Sequence, residues 1–457
     1  MTVVDRTRLP EVGADPRFDF PAIGRHWMAN GLEVRTVEHP SMPVVTFVLQ
    51  IRGGSGADPN GLEGLAGLVA DMTDEGTGTQ SALDVADALA RIGADFDVGV
   101  SGDAATFSLT TLSRFASRGG ALLADMVTRP SLREGDFERV RQLRLDRLRQ
   151  LKDVPSAVAE RTFLRLLYGP HPYGHLSIGG DAALRRVTLD VLHAFHARVF
   201  RPAGATLVVC GALAHADLLR EAETAFGGWF QGTGPVEDTP ASAAAPGAPL
   251  HVALAVVHRE GAAQSELRIG HLTTTRSTPD YPALTTMNAV LGGQFASRIN
   301  LKLREEKGYT YGARTSFDWH RGVSPFALQA SVHTAATADA ISCALAELDD
   351  IREARPPTPD ELLLAKASLT RGYPRNFETA QQVARAVSQL ALFDLPDTYF
   401  AEFGPRVTAV TGADVMNAAV RHLDRGRLTT VVVGDEAAIG SSLDSVGLGQ
   451  PQIMPND

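Results

Sequence analysis

Val187–Gly211 reads VTLDVLHAFHARVFRPAGATLVVCG, and Val410–Gly434 reads VTGADVMNAAVRHLDRGRLTTVVVG. Laid together without a gap, they share Val187/Val410, Thr188/Thr411, Arg198/Arg421, Thr206/Thr429, Val208/Val431, Val209/Val432 and Gly211/Gly434. Each reads as a helix that turns into a buried, β-branched strand closing on glycine. The same pair of elements at the end of each half points to a duplicated chain. Between the halves, QGTGPVEDTPASAAAPGAPL at 231–250 is rich in Pro, Ala and Gly and has no apolar periodicity, the composition of a linker. This places an N-terminal domain at 20–232, a linker at 233–250 and a C-terminal domain at 251–440, each of ordinary domain size.

Working outward, the first half begins with an irregular arm, a short strand at 32–37 and an apolar, β-branched strand at 43–53. A loop, GGSGADPNG, leads into GLAGLVADMTDEG at 64–76. There Leu65, Leu68, Val69 and Met72 fall at i, i+3, i+4 and i+7, which predicts a helix ending at Gly76. Ser81 is a candidate N-cap for a helix closed by Gly93, and 95–112 alternates as two strands around Gly102-Asp103. Helices are expected at 115–128, 134–151 and on through Tyr168 to the turn GPHPYGH. The second half opens with strands at 251–257 and 264–271 and a helix at 281–291, placed as the 64–76 helix is in the first half. Strands and helices in mixed order give the α+β class.

Composition narrows the function. The chain has 457 residues, 44% hydrophobic and 21% charged, which describes a globular protein rather than a disordered one. Its longest apolar runs fall short of the roughly 18 residues of a membrane span. The opening MTVVDRTRLPEVGADP lacks the apolar core of a signal peptide, so a cytoplasmic location is expected, or a periplasmic one if a leader has been removed. A net charge of -10 argues against nucleic acid. Cys210 and Cys343 are far apart in apolar segments and read as free thiols. Nucleophile-elbow, phosphate-loop and paired-cysteine motifs are absent.

Two stretches carry a family resemblance: the loop and helix at 64–76, and LGGQFASRINLKLREEKGYTYG at 291–312. Both resemble segments of the pitrilysin/insulinase zinc peptidases, similar to the mitochondrial processing peptidase and to the short two-domain form found in bacteria. The resemblance spans roughly residues 20 to 440. It implies two homologous domains, each a mostly antiparallel sheet with helices packed on one face, forming half of a clamshell. In that family the first segment carries HxxEH, two His that bind Zn²⁺ and a Glu that acts on the metal-bound water. Here the three positions are Gly67, Ala70 and Asp71. The family's third ligand, a Glu further on, matches Arg147 within one residue. Adjacent Asp146 could pair with Asp71, but two carboxylates without His make a poor zinc site.

The second stretch is intact. The resemblance implies that Arg304 and Tyr311, with the Gly292-Gly293 loop, hold a substrate backbone carbonyl beside the metal. A guanidinium and a phenol are suitable donors to a polarised carbonyl, and neither has to titrate. Without the resemblance, Arg304 beside Glu305 and Glu306 would read as a surface ion-pair former. Tyr309 is the alternative to Tyr311, since at strand period both share a face. His193 and His196 lie outside the zinc pattern, and His171 and His175 in GPHPYGH read as surface or capping residues. The implied role is a non-catalytic subunit with no cofactor of its own. A homologous HxxEH-bearing partner would hold the zinc, and unfolded peptides would be the substrates. The alternative is a non-enzymatic scaffold or peptide-binding protein of the same fold.

Overall fold

The computed structural model describes residues 18–230, 232 and 251–456, so the linker expected at 233–250 lies outside the described residues. The first half contributes β1 (Ile23–Trp27), β2 (Glu33–Glu38), β3 (Val44–Arg52), a two-residue ladder of β4 (Gly76–Thr77) with β5 (Gln80–Ser81), β6 (Asp95–Val100), β7 (Ala104–Leu112) and β8 (Ala205–Gly211). The second contributes β9 (Leu254–His258), β10 (Gln264–Leu272), β11 (Ala313–Phe317), β12 (Pro325–His333), β13 (Thr429–Gly434) and β14 (Gln452–Met454).

Two six-stranded sheets result, in the orders β1-β2-β8-β3-β7-β6 and β11-β12-β10-β13-β9-β14. Read in opposite directions, the orders superimpose strand for strand from β2 to β6 on β9 to β11. Pairing is mostly antiparallel, with β2/β8, β13/β9 and β14/β9 parallel. The repeat holds element by element. Thr188 and Thr411 cap the helices Leu189–Val199 and Gly412–His422, accepting from the backbone N–H three residues on. Short turns at Pro202–Gly204 and Arg425–Arg427 then feed β8 and β13. Gly211 closes β8 because a Cβ there would lie 2.3 Å from the Val44 carbonyl oxygen. At Gly434 it would lie 2.7 Å from Ser265 Oγ.

Each sheet packs one face on helices of its own half, around Phe47, Leu49 and Leu207 in the first and Ile269, Leu328 and Val432 in the second. The opposite faces are covered by exchange. Helix Pro155–Tyr168 of the first half lays Val158, Phe163 and Leu167 on Ala255, Val257, Val431 and Val433 of the second sheet. Helix Ala380–Leu392 of the second half returns Val383, Ala384 and Val387 to Val37, Val48, Val208 and Cys210 of the first. Because β8 and β13 are thus buried on both faces, they read as unbroken apolar runs rather than alternating ones. Full burial of each such Val, Leu or Phe contributes about 1.5–3 kcal/mol.

A polar clasp adds to this exchange. Asp103, 2% exposed at the β6–β7 turn, accepts from the Tyr173 hydroxyl and, at 3.0 Å, from the Arg321 N–H of the other half. His320 stacks on Tyr173 at 4.4 Å and places Nδ1 3.5 Å from Asp103 and Nε2 3.4 Å from Asp318. Burial alone would lower the His320 pKa, but these two carboxylates hold it up at about 9. Asp103 responds in the opposite sense: burial would raise it, and the bonds from His320, Tyr173 and Arg321 keep it below the usual carboxylate range.

The structure departs from the sequence reading in three places. The arm before β2 contains β1, paired along its length with β2. The helix expected over 64–76 spans only Leu65–Asp71, because Thr73 turns both its N–H and its hydroxyl onto the Ala70 carbonyl. Gly76, at φ 133°, starts β4 instead of closing a helix. Tyr309 and Tyr311 do not share a strand face, since β11 begins only at Ala313 and Gly308, at φ 65°, turns the chain before them.

Candidate functional site

The helix Leu65–Asp71 follows Gly64, whose φ of 100° requires glycine. Asp58 fixes the entry: its carboxylate accepts from the N–H groups of Gly64 and Ala66, each at 2.7 Å, and from His175 Nε2 at 3.0 Å. Leu65, Leu68, Val69 and Met72 are fully buried, as the apolar stripe requires. Ala70 is also fully buried, among the same apolar side chains.

What faces Gly67 and Asp71 is a cation. Arg144, on the helix Glu134–Leu151, is 8% exposed. Its Nη1 donates to the Asp71 carboxylate and its Nη2 to the Ser177 carbonyl oxygen. A Cβ on Gly67 would lie 2.4 Å from Arg144 Nη2 and 2.4 Å from that same carbonyl. Arg147, the position matched to the third ligand, stands one turn further along in the outer wall and donates to Gln150. Asp146 is bound to Arg149 and Gln142, so it does not join Asp71.

These residues do not fit zinc. A glycine, an alanine and a carboxylate already neutralised by arginine offer none of the imidazole or thiolate donors it takes, and the guanidinium occupies the space. Among the described residues no three His, Cys, Asp or Glu come together as a metal-holding group. Outside Arg144 an open pocket of about 400 Å³ remains, walled by Val98, Val140, Leu143 and Ile178 and edged by Asp71, Asp74 and Glu75. Partial loss of water, then the neighbouring Glu75, raises the Asp74 carboxyl above its ordinary range.

The second motif separates into a bonded frame and a loosely held pair. Arg298 is 6% exposed and forks onto Glu361 at 2.7 and 2.8 Å while donating to the carbonyls of Arg355 and Pro356. The bond from Arg298 and its neighbours pulls Glu361 down to about 2 against the opposing effect of burial. Asn300 Oδ1 accepts from the Ala313 N–H and so ties this turn to β11. The glycine pair is packed in as well. A Cβ on Gly292 would meet Thr315 at 2.6 Å, and one on Gly293 would meet Asn288 at 2.6 Å.

Arg304 and Tyr311 are different. Arg304 lies in a π-helical turn, Leu301–Glu306, a widened winding that recurs at functional sites. Its guanidinium lies 4.2 Å over the Phe295 ring, itself 64% exposed, and among the described residues only a 3.6 Å contact with Glu305 holds it otherwise. Tyr311 is 92% exposed. Tyr309, by contrast, packs on the second core and donates to Asp339 at 2.6 Å. Among the described residues no hydrogen bond or ion pair joins Arg304 or Tyr311 to the Leu65–Asp71 helix.

His171 and His196 serve the fold. His171 Nδ1 accepts from the Tyr173 N–H in the GPHPYGH turn, and His196 bonds the Val127 carbonyl at 2.9 Å. Sequence reasoning missed Arg144 and the His320–Asp103 clasp. The first gave a faint signal, a glycine placed inside a good helix.

Residues 33–176 match the family described as insulinase (peptidase family M16), and residues 186–369 match the one described as peptidase M16 inactive domain. An uncharacterized zinc protease of Mycobacterium leprae is 25% identical over 64% of this chain, and the match spans 65% of that relative. Another, from Mycobacterium bovis, is 24% identical over 90% of this chain and 92% of its own length. Among solved structures, a peptidase M16 inactive domain from Pseudomonas fluorescens superimposes with a TM-score of 0.84 at 25% identity, covering 90% of this chain and 98% of that one. A protease from Helicobacter pylori does so with a TM-score of 0.82 at 19% identity, covering 91% and 100%.

Proposed function

Since the chain belongs to the M16, or insulinase, peptidase family and lacks that family's catalytic motif, we propose that it is the non-catalytic subunit of a heterodimeric zinc metallopeptidase. A homologous partner carrying HxxEH holds the zinc, and the two chains close as the halves of a clamshell. This chain supplies half the chamber wall and positions the substrate. The observation that carries the reading is the contrast within 291–312. Arg298 and Asn300 are buried and bonded into the fold, while Tyr311 stands exposed and the half-buried Arg304 is held only by the Phe295 ring and Glu305 among the described residues. Fold maintenance does not require that pair, whereas a peptide carbonyl polarised by a partner's metal does.

Positioning groups and metal groups need not share a chain, because what they contribute is geometry at one carbonyl. Unfolded peptides suit the first sheet, since among the described residues β6 pairs on one side only, with β7, and offers its outer edge to an added strand. No helix among the described residues is long and apolar enough to cross a membrane.

The test is zinc content and peptide cleavage, measured for this chain alone and with a co-expressed HxxEH-bearing relative. The chain alone holds no zinc and is inert, and the mixture binds zinc and cleaves. Arg304→Ala in this chain lowers cleavage by the mixture. Unchanged cleavage by that variant would leave the chain a scaffold, and zinc-dependent cleavage by the chain alone would overturn the reading.

A further inference from the structure

An interior helical glycine is destabilising relative to alanine, so a helix that has merely lost a ligand gains by accepting a side chain. Gly67 cannot accept one. Its missing Cβ is the space in which Arg144 Nη2 and the Ser177 carbonyl meet. Arg144 is held there at a cost, because its Nε is buried with no acceptor among the described residues while Nη1 and Nη2 are engaged. Asp71 neutralises the charge, since a buried guanidinium is costly without a carboxylate beside it.

A single group therefore joins three separate pieces of chain. It rises from the helix Glu134–Leu151, binds the last residue of the helix Leu65–Asp71 and clamps the segment at Ser177. These are the attachments a metal ion would make with donors from the two helices. We propose that Arg144 is a built-in substitute for the metal, cross-linking the two helices and, by occupying the space over Gly67, excluding zinc from this chain. The proposal rests on the family correspondence of Gly67, Ala70 and Asp71 and is independent of any partner chain. It makes the missing imidazoles only half of the change. The glycine and the arginine form one unit, so restoring the motif alone does not restore the metal.

The experiment compares two full-length variants. The first carries Gly67→His, Ala70→Glu and Asp71→His with Arg144 retained. The second adds Arg144→Glu, which places a carboxylate donor where the guanidinium was. Each is incubated with ZnCl₂, dialysed and analysed for zinc by mass spectrometry, and its Tm is read with and without the metal. The expected result is no retained zinc and no zinc-dependent Tm change in the first, and about one equivalent with a raised Tm in the second. Zinc retained by the first would overturn the exclusion. Zinc retained by neither would overturn it too, since something other than the guanidinium would then bar the metal. Arg144→Met in the otherwise native chain tests the cross-link without any metal. It keeps the apolar stem and lowers Tm by about 5 °C or more, and a Tm within about a degree of the native value would refute the structural half of the proposal.

Discussion

Replacing His320 by Gln removes the one charge that the clasp between the halves gains on folding. His320 moves from an ordinary 6.5 to about 9, because Asp103 and Asp318 outweigh the burial that opposes them. A folded-state pKa raised above the unfolded one gives stability that is complete below the unfolded pKa and lost as pH rises through the folded one. Two and a half units at 1.36 kcal/mol each give about 3 kcal/mol below pH 6, between roughly 2 and 3 at neutrality, and almost none by pH 10. Asp103 stays ionised across that window, since its own pKa is held low. Thermal unfolding of the native chain and of His320→Gln, followed from pH 6 to pH 10 at constant ionic strength, measures the difference directly. Background titration of lysines and tyrosines affects both proteins alike and cancels. The native protein starts several degrees above the variant, and the two curves converge near pH 10. Parallel curves with a constant gap would refute the reasoning, because His320 would then contribute shape and not charge.

Three further outcomes follow from packing and exposure. Phe163→Ala, deleting a side chain 1% exposed between the exchanged helix and the second sheet, costs about 3–5 kcal/mol in urea unfolding. Arg304→Ala and Tyr311→Phe leave stability within about 0.5 kcal/mol of native while lowering cleavage by the mixed complex, which separates a positioning role from a structural one. Burial pushes the Cys210 thiol up to about 12, so iodoacetamide at pH 8 labels the half-buried Cys343 well before Cys210, as read by peptide mass spectrometry.

Local chemistry made much of this architecture readable. The bounds of helices 134–151 and 281–291 are readable to the residue, because Glu134 and Asp136 open the first, while Pro282 in the first turn and Gly292 just past the end mark the second. The duplication was legible in Thr188/Thr411 and Gly211/Gly434, residues whose roles as cap and close-packed strand end recur in both halves. The vestigial helix was legible as a pattern but not in length, since the Thr73 hydroxyl that ends it competes with the helix only once the backbone is in place. The family resemblance matched Arg147 on the Glu134–Leu151 helix, while Arg144 is the residue that reaches Asp71. Residues three apart lie on nearly the same side of a helix, and only the partners across the gap decide between them. The exchange of helices was hidden for a related reason. The apolar stripe on Pro155–Tyr168 announces that it is buried, and nothing in it names the sheet on which it lies.

That exchange sets a schedule for the chain as it leaves the ribosome. The first sheet has all its strands once Gly211 has emerged, yet the face bearing Val48 and Val208 stays bare until Leu392 follows, roughly 180 residues later. At about 5–20 residues per second this is on the order of ten to forty seconds of exposed β-branched surface. The N-terminal half is therefore a natural client for chaperones during synthesis. Truncation anywhere before Ala380 would be met by aggregation rather than by a smaller folded protein.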